Sequence, residues 1–251
     1  MDRMSLFVIS FISFPGALLN VSIGFLLMGY KDFLKPGIIN IKRMTLTVLL
    51  MIIADYFIRA YTPLVVAPLL QILIYILIIK FTWKIAIKKS LACVSLFTGV
   101  LITIELIYAP TMLVYLQKTL YQVYSNDTLR LICSVPERLI QLGVCISLWN
   151  TVTVFIDFKK YKGMLKYATV VLMLLYAIEI IFMFTFMYNI DKMDLLTKIL
   201  DIIISLGFVI FNSLIFKFIA TYSKTIIETE KEKHDINNKR IMDEFAKLFA
   251  D

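Results

Sequence analysis

Residues 5–29 read SLFVISFISFPGALLNVSIGFLLMG, an apolar stretch without a single charged side chain. A transmembrane helix needs about 20 such residues, because the hydrocarbon core of a bilayer is about 30 Å thick. The stretch is too long for the apolar core of a signal peptide, and no basic segment or small-residue cleavage site flanks it. We therefore expect Ser5–Gly29 to be a first membrane span that contains Pro15.

The composition of the whole chain agrees with this stretch. Of its 251 residues, 60% are hydrophobic and only 18% are charged, whereas a soluble domain carries about 25% charged residues. The composition excludes a soluble globular domain and predicts an all-α, polytopic membrane protein. The net charge of +8 is then interpreted as a record of topology, because lysine and arginine concentrate in cytoplasmic loops. We expect the lipid bilayer, and no nucleic acid, as the surrounding partner.

Six further apolar segments are long enough to cross a bilayer as helices. They are Met44–Tyr61, Pro63–Trp83, Leu91–Met112, Pro136–Phe158, Tyr167–Asn189 and Leu195–Ala220. The sequence therefore predicts a seven-helix membrane domain over residues 1–220, followed by a helical tail over residues 221–251. Between the fourth and fifth spans, apolar residues at helical spacing predict an amphipathic helix on the outer surface.

The charges of the connecting loops predict the orientation. Basic residues exceed acidic ones in the first, third and fifth loops, at 31–43, 80–89 and 157–166, and the other loops are short or balanced. By the positive-inside rule, the N-terminus is outside and the tail is cytoplasmic. Trp83, at the inner end of its span, is interpreted as an interfacial anchor. The excess of lysine over arginine suggests an AT-rich bacterial genome, and hence a bacterial cytoplasmic membrane.

Ionisable side chains inside membrane spans are costly, so each one is a candidate functional residue. The candidates are Asp55, Arg59, Glu105, Glu179 and Asp201. One hypothesis is a net-acidic cavity open to the outside, in which Glu105 and Asp201 meet a ligand and Arg59 binds its carboxylate. The alternative is that these residues pair with one another, or with nearby amides, as contacts between helices. The amides are Asn20, Gln71 and Asn212.

The tail stretch KEKHDINNKRIMDEF, residues 231–245, holds the only histidine of the chain. Four tail residues recur at intervals of seven, a weak coiled-coil pattern that predicts a homodimer or a cytoplasmic protein partner. These residues are Ile227, His234, Ile241 and Leu248. The sequence His234-Asp235-x-x-Asn238 resembles the H-D-x-x-N box of the peptide-pheromone sensor histidine kinases of Gram-positive bacteria, of the accessory-gene-regulator and competence types.

In the family that the box resembles, six or seven membrane helices precede a cytoplasmic helix with the box, and the membrane domain binds a secreted peptide. The resemblance implies His234 as the phosphoacceptor, with Asp235 and Asn238 as its orienting neighbours. Only 17 residues follow His234, and no glycine-rich nucleotide-binding box occurs. We therefore expect a sensor module without the ATP-binding domain, in which His234 is not self-phosphorylated.

Three classes of function remain, and the third is a scaffold whose tail recruits a cytoplasmic protein. The first is a receptor that binds an extracellular ligand, by resemblance a peptide, and signals through its cytoplasmic helix in a two-component, quorum-sensing pathway. The second is a transport or bacteriocin-immunity membrane protein, such as a permease subunit, whose tail docks a cytoplasmic partner. We expect no enzyme, because no protease motif or nucleophile–histidine arrangement occurs. Three cysteines without metal-ligand spacing predict neither a metal nor a cofactor.

Overall fold

The computed structural model describes residues 5–63, 66–150, 164–189, 192–193 and 195–248, and these residues form helices joined by short connections. Their seven longest helices are α1 (Phe14–Leu27), α2 (Ile38–Tyr61), α3 (Ala67–Trp83), α4 (Ile87–Leu116), α5 (Asp127–Asn150), α6 (Met164–Asn189) and α7 (Leu195–Leu248). A helical turn, Leu6–Val8, and a π-helical segment, Ile9–Ser13, precede α1. The predicted all-α class is confirmed.

Five helical segments are long and apolar enough to cross a membrane. They are Ile9–Leu27, Ile87–Leu116, Asp127–Asn150, Val171–Asn189 and Leu196–Phe218. Helix α3 is apolar but has only 17 residues, and α2 contains Lys42, Arg43, Asp55 and Arg59 among its 24. These apolar helices support a membrane protein, whereas the count of seven spans and the positions of the termini stay predictions.

Helix α4 lies at the centre of the bundle, where it contacts α1, α3, α5, α6 and α7. Two glycines allow its neighbours to approach closely. A methyl group on Gly24 of α1 would lie 2.6 Å from Cys93 Sγ, and one on Gly99 of α4 would overlap the Tyr176 hydroxyl of α6. Small residues at such crossings let helix backbones pack tightly. In a membrane this close packing holds helices together, because the hydrophobic effect does not favour helix association in lipid.

Helix α5 begins at Asp127, nine residues before the predicted start of its span at Pro136. The proline lies inside the helix, as membrane helices tolerate. The predicted outer amphipathic helix shortens to Leu120–Ser125, which begins with a capping box. Gln122 N–H donates to Thr119 Oγ1, and Thr119 N–H donates to Gln122 Oε1. The earlier start of α5 places residues 137 and 138 near the middle of a helix rather than at its outer end.

Helix α7 continues for 54 residues, from Leu195 to Leu248, without interruption. At about 1.5 Å per residue it is about 80 Å long, far more than the about 30 Å of a hydrocarbon core. The predicted boundary between a membrane domain and a tail, at residues 220 and 221, falls inside this single helix. Any separation of the two regions is therefore made by the surroundings of the helix and not by a break in it.

Aromatic rings close the end of the bundle that carries the lysine-rich connections; we call Phe25, Tyr30, Phe33 and Trp83 the aromatic end. The Trp83 ring lies 4.7 Å from that of Phe25 and 5.0 Å from that of Phe33, and Tyr30 stacks on Phe33 at 5.0 Å. Trp83 Nε1 donates to Thr47 Oγ1 at 2.9 Å. Trp83 is thus a buried core residue, and its interpretation as an interfacial anchor is wrong because the connection after α1 covers it.

Candidate functional site

A cavity of about 230 Å³ lies in the half of the bundle opposite the aromatic end. It is lined by the N-terminal halves of α1 and α3, by the C-terminal halves of α2, α4 and α6, and by α5. The lysine-rich connections follow α1 and α3 at their other ends. The cavity and the basic connections therefore occupy opposite ends of the same helices.

Six charged side chains line this cavity. They are Asp55, Arg59, Glu105, Arg130, Glu137 and Arg138. Three were predicted from the sequence as membrane charges that share one cavity, and the structure brings these three together on α2 and α4. The other three come from α5. The formal charges balance, three arginines against three carboxylates, so the lining differs from the net-acidic cavity that the sequence predicted.

On α5, one hydrogen-bonded network holds the Arg138 guanidinium. Arg138 Nη1 donates to Glu137 Oε1 at 2.9 Å and to Gln141 Oε1 at 2.7 Å, and Gln141 Nε2 donates to Glu137 Oε1 at 2.9 Å. Glu137 and Gln141 are buried, and such networks are stronger in a low dielectric than in water. A methyl group on Gly16 of α1 would lie 2.8 Å from Arg138 Cζ. Glycine at this position leaves room for the guanidinium.

The α2 and α3 side of the cavity is organised around Asp55. The Tyr75 hydroxyl donates to Asp55 Oδ1, and Gln71 stands beside the carboxylate without its amide nitrogen reaching hydrogen-bonding geometry. Arg59 and Arg138 each act electrostatically on Asp55 and on Glu105. The charges of α2, α4 and α5 therefore form one connected site.

Arg130 adds a cation near the α4–α5 connection. Its guanidinium carbon lies 4.8 Å from the centroid of the Tyr124 ring, a cation–π geometry that keeps a buried cation against an apolar surface. The side chain is almost fully buried and lines the cavity. Arg130 thus places positive charge at the rim where the short helix Leu120–Ser125 covers the bundle.

Two of the membrane acids predicted from the sequence lie outside the cavity lining. Asn212 Nδ2 of α7 donates to Glu179 Oε2 of α6 at 3.0 Å, and both side chains are fully buried. This is the interhelical pairing that the alternative interpretation predicted for this acid. Asp201, near the start of α7, is half-buried and does not line the cavity.

The histidine box lies within α7. Asp235 and Asn238 are exposed, whereas the placement of the His234 side chain lies outside what the structure describes. The same holds for Lys159, Lys160 and Lys162 of the fifth loop, so their role in orientation stays a prediction. Over the described ranges, no group of three or more His, Cys, Asp or Glu side chains is placed to hold a metal ion.

The sequence contained a signal for the missed α5 residues. Glu137 and Arg138 are adjacent charges in an apolar segment, with Gln141 one helical turn later, which is the spacing of an intrahelical network. Placing the start of the span at Pro136 hid this signal, because charges at the membrane surface cost little. Comparison with family models, with curated proteins and with solved structures finds no match for the chain.

Proposed function

We propose that this protein is a receptor or sensor module of a bacterial cytoplasmic membrane, which binds an extracellular ligand in the charged cavity and signals through the end of α7. The cavity is the observation that carries the proposal. Six ionisable side chains around one space are costly in a membrane and mark a functional site by default. The positive-inside rule puts the lysine-rich end in the cytoplasm, and the cavity then faces outward.

A physical path from the cavity to the tail supports signalling. Helix α4 contributes Glu105 to the cavity lining and also packs on α7. At Gly99 of α4, an added methyl group would meet both Tyr176 of α6 and Phe216 of α7, so the three helices cross closely there. A shift of α4 on ligand binding would change its packing on α7, and packed helices transmit such shifts as rigid elements.

The resemblance of the tail supports the proposed output. His234, Asp235 and Asn238 would form the phosphoacceptor box of a two-component, quorum-sensing pathway, and residues 221–251 would bind a second copy of the chain or a cytoplasmic protein. Under this proposal the phosphoryl group comes from that partner. The extracellular ligand would be a secreted peptide or another small ligand.

A transport or bacteriocin-immunity protein is the competing proposal, because a mixed-charge cavity equally suits a substrate in transit. The two proposals differ in the tail. A receptor changes the tail when the cavity is filled, whereas a transporter moves its substrate across the membrane without needing the tail to respond. An experiment that follows both the tail and the ligand therefore separates them.

We would measure hydrogen–deuterium exchange in the full chain, reconstituted in nanodiscs. The probe is the low-molecular-mass fraction of the culture medium of the bacterium that carries the gene. We expect exchange to slow around the cavity and to change within residues 221–248. Glu105→Gln should lose both effects, and Asp32→Asn, an exposed acid in the connection after α1, should keep them. An unchanged tail contradicts the receptor proposal, and accumulation of the ligand inside proteoliposomes would favour transport.

A further inference from the structure

We infer that the cavity recognises a small zwitterion, whose carboxylate binds Arg138 and Tyr108 and whose ammonium group binds Glu105. The ligand class is a free amino acid or a dipeptide with free ends. This inference rests on the proposed function, since it names the ligand of the same cavity. It is argued from which polar atoms of the lining already have partners and which do not.

Three buried donors in the cavity lining lack an acceptor among the described residues. Gln71 Nε2 is on the α2 and α3 side, beside Asp55, and the other two are Arg138 Nε and the Tyr108 hydroxyl. A buried donor without an acceptor costs about 1–3 kcal/mol, so a ligand that supplies the acceptor is favoured. Glu137, the residue that pairs with Arg138, also acts electrostatically on Tyr108. Arg138 Nε and the Tyr108 hydroxyl are therefore both close enough to Glu137 for one acceptor group of a ligand to serve them.

The guanidinium geometry selects a carboxylate as that acceptor. Nη1 of Arg138 is already used by Glu137 and Gln141, which fixes the plane of the group. The edge formed by Nε and Nη2 can donate two parallel hydrogen bonds, the arrangement that matches the two oxygens of a carboxylate. The tyrosine hydroxyl would donate a third bond to the same group.

Glu105 provides the complementary charge. Asp55 accepts from Tyr75, and Glu137 accepts from Arg138 and Gln141, whereas no side-chain hydrogen bond to Glu105 forms within the described part of the chain. Glu105 lies three residues before Tyr108 on α4, so the two side chains are neighbours on one face, about 5–6 Å apart at Cβ. A ligand held at Tyr108 by its carboxylate can therefore reach Glu105 with an ammonium group.

The size and the apolar part of the cavity limit the ligand further. Its volume of about 230 Å³ is below the about 300–1,000 Å³ of pockets that bury drug-sized molecules, so the cavity cannot enclose a peptide of many residues. Ile102, Met183, Phe184 and Met187 also line the cavity, and methionine adapts to different neighbours. The ligand side chain would lie against this apolar part.

The test uses the full chain in nanodiscs and measures thermal unfolding with three probes. Each probe is a mixture of dipeptides randomised at both positions: one with free ends, one with a carboxyl-terminal amide and one acetylated at the amino group. We expect the free dipeptides to raise the unfolding midpoint. The amide and the acetylated mixtures should need at least tenfold higher concentrations for the same rise.

Point variants assign the contacts. Tyr108→Phe should weaken the effect of free dipeptides about tenfold, and Tyr115→Phe, an exposed tyrosine on the same helix, should not change it. Glu105→Gln should remove the discrimination against the acetylated mixture alone. Arg138→Gln should remove discrimination against the amide, and the first two variants suffice if this one does not fold.

Equal stabilisation by all three mixtures, or by none, would overturn the zwitterion inference. So would a Tyr108→Phe variant that binds like the Tyr115→Phe control. These outcomes leave the receptor proposal standing if the exchange experiment with culture medium succeeds, because that experiment assumes nothing about ligand chemistry. If free dipeptides stabilise the protein but the exchange of the tail does not change, the zwitterion site is supported and the signalling proposal is rejected.

Discussion

At the aromatic end of the bundle, Trp83 is packed between rings and its Nε1 donates to Thr47. At the cavity end, charged side chains surround an open space, and Arg138 Nε and the Tyr108 hydroxyl lack acceptors among the described residues. The same helices, α1, α2 and α3, contribute residues to both ends. Side chains fill the first end, whereas at the second end a cavity of about 230 Å³ remains between them.

This difference assigns stability and binding to separate parts of each helix. In α4, Cys93 belongs to the buried core that includes Trp83, Phe97 borders both this core and the cavity, and Glu105 and Tyr108, three to four turns after Cys93, line the cavity. Under the proposed function, a substitution at the aromatic end should act on folding, and one at the cavity end should act on ligand binding, with a large loss of stability only where it leaves a buried charge unpaired. Five variants test this separation, in order of decreasing effect on stability.

The largest loss of stability is expected for Gly24→Ala. The added methyl group would lie 2.6 Å from Cys93 Sγ and 2.9 Å from the Cys93 carbonyl oxygen, and backbone cannot move aside without separating α1 from α4. We expect a loss of about 3 kcal/mol, the upper range for overpacked cores, seen as a lower thermal midpoint in detergent. Gly143→Ala, where nothing lies within 4 Å, is the control, and equal behaviour of the two would contradict close packing at Gly24.

Arg138→Gln should lower the free energy of unfolding by about 2 kcal/mol, because the carboxylate of Glu137 stays buried after its partner cation is removed. The loss is smaller than for a fully enclosed ion pair, because the cavity lies beside these two side chains. The double variant Glu137→Gln, Arg138→Gln removes both charges and should be more stable than the single variant. Chemical denaturation of the unsubstituted protein, of Arg138→Gln, of Glu137→Gln and of the double variant gives the coupling energy. Additive losses would show that the two side chains do not interact.

Thr47→Val should lower the free energy of unfolding by about 1–2 kcal/mol, because it leaves the buried Trp83 Nε1 without its acceptor. The tryptophan emission spectrum should shift together with the thermal midpoint. Thr45→Val changes an exposed threonine on the same helix and should leave both unchanged. A Thr47→Val protein as stable as this control would mean that the aromatic end does not depend on the hydrogen bond.

Gly16→Ala should lower the free energy of unfolding by less than about 1 kcal/mol. The added methyl group meets Arg138 Cζ, which is at the end of a flexible side chain. The guanidinium must still shift, which displaces its Nε–Nη2 edge while its Nη1 can keep its hydrogen bonds to Glu137 and Gln141. We therefore expect about tenfold weaker binding of free dipeptides in a protein of nearly unchanged stability. Unchanged binding would show that the position of the guanidinium does not matter for the ligand.

Removal of residues 226–251 should leave the thermal midpoint of the membrane part unchanged, since the described side chains of this segment are exposed. The same deletion should abolish recruitment of a partner or signalling. His234→Gln, which keeps size and polarity, should have almost no effect on folding. Incorporation of label from radioactive ATP by the purified chain alone, lost in His234→Gln, would contradict the expected lack of self-phosphorylation.

The sequence predicted the helices well because long apolar runs leave few alternatives in a membrane. It predicted the wrong start for α5, because a proline was taken as a boundary although neighbouring helices can support one inside a span. Trp83 was misassigned because interface and core differ only in whether another segment covers the ring. Glu179 lies outside the cavity because of how α6 is rotated about its own axis. This rotation could not be predicted, because a helix that is apolar on all sides shows no periodic pattern that marks its buried face.

Because α7 is long, a small change at its contact with α4 can move its far end by a large distance. From Phe216, where α7 meets α4 near Gly99, to Leu248 the helix extends for 32 residues, or about 48 Å. A rigid helix of that length, tilted about its crossing with α4, moves most at its far end. A tilt of about 5° there would displace the far end by about 4 Å, so a change too small to unpack the bundle becomes a displacement as large as a side chain.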